Sequence, residues 1–123
     1  MIFARMFKFL VLPGQEQAYC DYLRDVVSPI DTAAHQADVF LELRTITPDG
    51  GADWNHGRIF TFRDRAQRDA FAARMAEQAA FFDGNSEATR LRKARAETMR
   101  RQVEVSDYQI EQGPCRQTIT RAI

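Results

Sequence analysis

His56 is the side chain best suited to move a proton, since an imidazole titrates near neutrality. It opens an alternating run, His56-Gly57-Arg58-Ile59-Phe60-Thr61-Phe62. On a strand, residues two apart share a face, so His56, Arg58, Phe60 and Phe62 point the same way. Arg58 there offers a rigid fork for a carboxylate or enolate oxygen. Arg44 offers the same fork in the run Phe40-Leu41-Glu42-Leu43-Arg44; its even number matches Phe40 and Arg58, which places it on the same expected face. Glu42 shares that face, and its plain alternative is to pair with Arg44. Arg5 lies between Phe3 and Phe7, and either reaches a ligand or closes an ion pair across a dimer. Trp54 and Asn55 precede His56. The indole can stack on a flat ligand or pack its loop, and the amide can donate to a carbonyl oxygen or make a turn. Tyr108 can donate a phenolic proton inside a cavity or sit in the core.

These groups need elements to hold them. Ile2 to Leu12 is rich in aromatic and branched residues and ends at Pro13-Gly14, which predicts a first strand. From Gln15 the period changes: Ala18, Tyr19, Tyr22, Leu23, Val26 and Val27 recur at helical spacing. The two tyrosines belong to that core stripe and are given no chemistry. Pro29 should break or kink this helix, leaving a short second piece over Asp31 to Gln36. Val39 to Thr47 and Gly57 to Arg63 predict two more strands, separated by the turn Pro48-Asp49-Gly50-Gly51. Asp64 with Gln67 forms a capping box at the start of the next helix. Ser86 caps another that runs to about Gln102, and Val103 to Ile110 predicts a fourth strand. The order β-α-β-β-α(α)-β is the ferredoxin-like, α+β arrangement: a four-stranded antiparallel sheet with helices on one face. The domain spans 1–111, and 112–123 reads as a tail.

Composition narrows the function. The 123 residues are 45% hydrophobic, enough for one domain core without disulfides or a structural metal. Seventeen Lys+Arg balance seventeen Asp+Glu, which argues against a dedicated nucleic-acid binder. The basic stretch Arg90 to Arg101 and the strand order leave an RNA-binding ferredoxin-like domain as an alternative. No apolar run reaches the roughly 18 residues of a membrane span, and Arg5 and Lys8 interrupt the apolar N-terminus. Cys20 and Cys115 lack metal spacing, and Cys20 reads as a buried thiol in a cytoplasmic protein. His35 closes a helix and suits its dipole. No metal-ligand set and no phosphate loop is legible, so no cofactor is expected.

Strand one is apolar on both sides, Phe3, Phe7 and Phe9 against Ile2, Met6 and Leu10. A second copy of the chain packed sheet to sheet is the simplest cover, giving a homodimer with an inter-sheet pocket for a small-molecule ligand.

The step Pro13-Gly14-Gln15-Glu16 into an amphipathic helix, and the run from Phe60 through Asp64 to Phe71, resemble the dimeric α/β-barrel superfamily. The likeness is greatest to its antibiotic-biosynthesis-monooxygenase and NIPSNAP-like branches. The resemblance implies a face-to-face homodimer whose cavities host cofactor-free oxygenation, cyclisation, isomerisation, haem degradation or plain ligand binding. Haem-degrading members carry Asn where Phe7 stands and Trp where Phe62 stands, so the haem activity is not expected here. The resulting expectation is a cofactor-independent oxygenase, cyclase or isomerase acting on a small apolar or aromatic metabolite. His56, Arg58 and Arg44 would be catalytic, and Arg5, Phe7, Glu42, Trp54, Asn55, Phe60, Phe62 and Tyr108 would line the site. A non-catalytic ligand-binding or stress-associated module of the same fold is the alternative.

Overall fold

The computed structural model describes residues 1–111; the expected tail over 112–123, with Cys115, lies outside the described residues. The chain runs β1 (Ile2–Val11), α1 (Glu16–Tyr22), one π-helical turn (Leu23–Val27), α2 (Ser28–Gln36), β2 (Glu42–Ile46), β3 (His56–Phe62), α3 (Arg65–Asp83), α4 (Ser86–Met99) and β4 (Arg100–Ile110). The four strands form one antiparallel sheet in the order β2-β3-β1-β4.

Register decides which face each side chain takes. Phe3 pairs with Phe62, Arg5 with Phe60, Phe7 with Arg58 and Phe9 with His56, so these residues share one face. It is the face the helices cover: Phe71 of α3 packs on Phe60 with centroids 4.7 Å apart and on Phe62 at 5.2 Å. The phenylalanines of β1 and β3 are therefore inside the helix layer. The helix-free face carries Ala4, Met6, Lys8, Ile59 and Thr61 instead, paired as Ala4 with Thr61 and Met6 with Ile59. It is mixed: aliphatic Ala4, Met6 and Ile59 stand among Lys8 and Thr61.

Two apolar clusters fill the helix layer. One joins Phe3, Phe60, Phe62 and Phe71 to Ala34, Val39 and Phe40. The other joins Val11, Tyr19 and Tyr22 to Ala96 and Met99.

Pro29 does not break the helix. A proline lacks an N–H and crowds the carbonyl four residues back, here that of Asp25. The turn before it widens to a π-helical turn, with Ser28 N–H donating to Leu23 O, and α2 then starts with Pro29 in its first turn. At α3, Asp64 Oδ1 accepts from Gln67 N–H at 2.8 Å as the capping box requires. The return half is redirected: Gln67 Oε1 accepts from Arg63 N–H, and Gln67 Nε2 donates to Asp38 O at 3.0 Å. Asn85, rather than Ser86, caps α4 by accepting from Ala88 N–H. That helix ends at Met99, and β4 starts directly at Arg100. Cys20 is exposed, correcting the expectation of a buried thiol.

Candidate functional site

A cavity of about 520 Å³ opens between the helix layer and the β2–β3 half of the sheet. Leu23 and Val27 of the π-helical turn form one wall, Asp31 and Thr32 of α2 follow, and Leu43, His56 and Arg58 form the sheet wall. This cavity lies on the helix-covered face of the sheet.

His56 sits at the seam of the two clusters. Tyr19 meets its ring edge-on at 5.2 Å, and Phe9 lies 6.4 Å away. Burial, reinforced by the positive charges of Arg58 and Arg100, pulls its pKa from 6.5 to about 4. The ring is therefore neutral at pH 7, and its Nε2 is buried with no protein partner.

Arg58 projects from the same face of β3. It stacks on Phe60, 5.1 Å from the ring centroid, and its Nη2 donates to Asp31 Oδ2. Both side chains are largely buried, 16% and 14% exposed. Burial pushes the Asp31 carboxyl up, while Arg58 opposes the shift. The other oxygen, Asp31 Oδ1, is buried without a protein partner. Arg100, at the start of β4, lies over the Phe9 ring at 3.9 Å and also leaves its Nε unpartnered. Among the described residues these three atoms are the only buried side-chain polar atoms without a partner. Two of the three belong to residues that border the cavity. A buried polar atom left unpaired costs stability unless a water or other group meets it.

The other expected site residues are placed elsewhere. Glu42 borders the cavity, but it pairs with Thr61 on the helix-free side, where Arg44 donates to it. Arg44 pairs with Ile59 and so lies on the helix-free face, not beside Arg58. Equal parity in number does not carry from one strand to the next. Tyr108 pairs with Ala4, half exposed on that same open face. Trp54 also lies there, with Lys8 Nζ 5.3 Å from its ring centroid. Asn55 is occupied by backbone: its Oδ1 accepts from Val11 N–H at 2.7 Å and its Nδ2 donates to Val11 O at 3.1 Å. Arg5 closes an ion pair with Asp107 of its own chain at 2.8 Å, not one across a dimer. Phe7 and Phe62 pack in the aromatic layer against Phe71, as does Phe60 beneath Arg58.

Asp31, Tyr19 and Arg100 are the residues that sequence reasoning missed. Tyr19 was indistinguishable from core, and nothing local ties Asp31 to an arginine 27 positions later. The one available hint was an acid in the first turn after Pro29, on a helix whose neighbours Ile30 and Ala34 are buried.

The RNA-binding alternative meets a direct obstacle. Phe60 and Phe62, the rings that would have to stack on bases, are 2% and 0% exposed beneath the helices. Much of the basic stretch is also engaged. Arg90 pairs with Glu87, Arg92 with Asp83, and Arg95 lies over Tyr22.

No protein-family model matches the chain, and no curated protein matches it. Solved structures do. HapK from Hahella chejuensis superposes with a TM-score of 0.59 at 14% identity, over 93% of this chain and 98% of that one. A dimeric ferredoxin-like protein of unknown function from Jannaschia sp. CCS1 gives 0.55 at 14% identity, over 89% and 100%. An ethyl tert-butyl ether d (ethd) family protein from Bacillus halodurans C-125 gives 0.51 at 10% identity, over 90% and 99%. At these identities the likeness is one of fold: the chain has a ferredoxin-like fold. Among the described residues, no helix is long and apolar enough to cross a membrane.

Proposed function

We propose that the chain is a small-molecule enzyme using acid–base chemistry in the cavity between α2 and β3, and that it works as a homodimer packed through its helix-free sheet face. The observation that carries the reading is a neutral imidazole, its Nε2 without a protein partner, bordering the same cavity as a buried guanidinium. His56 takes a proton from carbon. The electron pair left behind spreads onto an adjacent carbonyl oxygen as an enolate, which Arg58 stabilises as charge develops. Returning the proton to another carbon isomerises the substrate, attack on a second carbonyl cyclises it, and reaction with dioxygen oxygenates it.

An imidazole with a pKa of about 4 is a weak base. It suits carbon acids whose proton is already loosened by a ring or by two flanking carbonyls. The same weakness favours the second reading, a ligand-binding module of this fold without turnover.

One experiment separates them. The probe 1,3-dihydroxynaphthalene, whose ring protons exchange through its keto form, is incubated with the protein in D2O and followed by NMR. The enzyme reading expects exchange faster than in buffer, falling by about 10²–10⁴-fold in His56→Ala. Binding of the probe with exchange no faster than in buffer supports the binding module instead.

A further inference from the structure

We propose that Asp31 is a positioning residue for Arg58: it clamps the guanidinium against Phe60 and balances its charge, so that the cavity admits an uncharged substrate and turns away one that arrives as a carboxylate. The inference rests on the reading of the cavity as the ligand site, and adds to it the charge state of the ligand and the residue that sets it.

The helix brings Asp31 to Arg58. Leu23, Val27, Asp31 and His35 follow one another at four-residue steps and all border the cavity. In an α-helix such a step overshoots a full turn by about 40°, so the stripe would drift out of line. The wider turn over Leu23–Val27 winds less per residue and offsets part of that drift. On the sheet, Arg58 pairs with Thr45 and with Phe7, which places it on the helix-covered face. Its Nη2 donates to Asp31 Oδ2, while the guanidinium carbon lies 5.1 Å from the Phe60 ring centroid. A flat cation held by a ring at its face and a carboxylate at its edge has little freedom to turn. Both partners of the ion pair are largely buried.

The same contact sets the charge of the cavity. Apart from the two histidines, the ionisable residues that border it are Asp31, Glu42 and Arg58, and Glu42 is itself paired with Arg44. Its walls therefore hold no cation in excess to draw in an anion. A ligand carboxylate would have to leave water and compete with Asp31 for the same guanidinium. A neutral carbonyl oxygen meets no such penalty, because a guanidinium carries several N–H donors and Asp31 engages Nη2. Charge that develops on that oxygen only during reaction falls beside a cation already held in place.

The test compares 1-naphthoate with its methyl ester, which share a ring system and differ in charge, by titration calorimetry. The wild-type protein is expected to bind the ester at least roughly tenfold more tightly, since the carboxylate is desolvated without a cation to itself. Asp31→Asn keeps the shape and removes the charge; it should move the ratio of the two affinities about tenfold or more toward the carboxylate, because Arg58 is then buried without a counter-charge. Asp31→Glu, which restores the charge, should return the preference for the ester. If Asp31 is merely structural, Asp31→Asn weakens both probes alike and leaves their ratio unchanged, and that result overturns the proposal. So does a wild-type protein that binds the carboxylate as tightly as the ester, even where Asp31→Asn fails to fold. The underlying reading fails separately: ester selection without protein-dependent deuterium exchange of 1,3-dihydroxynaphthalene upholds Asp31 and removes the enzyme, whereas exchange without ester selection does the reverse.

Discussion

The Tyr19 ring stands edge-on to the His56 imidazole, with centroids 5.2 Å apart and planes at 89°. This contact brings α1 down onto the first residue of β3 and seals one side of the imidazole from water. Phe9 and the guanidinium stacked on it, Arg100, close another side. Burial is the largest cause of the low His56 pKa, and it arises from these neighbours.

The pH dependence of stability follows from that burial. The folded protein holds His56 near a pKa of about 4, against an ordinary 6.5. Between those values the unfolded chain binds more protons than the folded one. The His56 contribution is therefore complete above pH 6.5, is lost as pH falls toward about 4, and changes no further below that. The raised carboxyl of Asp31 acts in the opposite sense at the acid end. An NMR titration of the His56 ring protons should show a midpoint near 4. His56→Gln should flatten the loss of melting temperature over the same window. A ring midpoint at the ordinary histidine value contradicts the burial.

Asn55 is expected to serve stability and not binding. Its amide completes both hydrogen bonds of Val11, and its own N–H donates to Phe9 O. In Asn55→Ala both Val11 groups lose their partner, at a cost of about 1–3 kcal/mol in urea unfolding. Affinity for 1,3-dihydroxynaphthalene should stay within about twofold of wild type, since the lost contacts lie outside the cavity.

Gly57 has no room for a side chain. A Cβ there would stand 2.8 Å from Ile46 Cγ1 and 2.9 Å from Trp54 Cζ3. Gly57→Ala should destabilise the fold by about 1–3 kcal/mol as the indole and Ile46 are pushed aside. Tryptophan fluorescence reports it directly, because Trp54 is the chain's single tryptophan and must move. An unchanged emission spectrum and unchanged unfolding midpoint would contradict the packing.

The helix-free face should hold the dimer. Met6 pairs with Ile59 at its centre, between Ala4–Thr61 and Lys8–Gly57. Sedimentation should give a wild-type mass near twice the 14.1 kDa chain. A Met6→Lys variant should sediment as a monomer, because a new charge at the centre of such an interface is desolvated. A wild-type monomer removes the proposed assembly.

Much of the fold was legible because its signals are local. The alternation from His56 to Phe62 gave β3, and Asp64 with Gln67 gave the start of α3. The face assignments were not, because they depend on pairing between distant segments. Arg44 and Arg58 look equivalent in number, yet Arg44 stands opposite Ile59. Tyr108 shares the fate of Arg44 through its pairing with Ala4. β4 also shifts register between Lys8 and Phe9, which no periodicity in the strand reveals. His56 and Arg58 were legible as a pair on one strand face. Asp31 was not, since its meaning comes from a helix that stays continuous past Pro29 by widening one turn.

The most direct measurement is a crystal structure of the protein with 1,3-dihydroxynaphthalene bound. The expected result places the naphthalene ring between the π-helical turn and β3, with an oxygen toward Arg58 and an acidic C–H toward His56. A ring bound between the sheets of two protomers, or in the separate hollow bordered by Phe7, Ala72 and Val105, would contradict it.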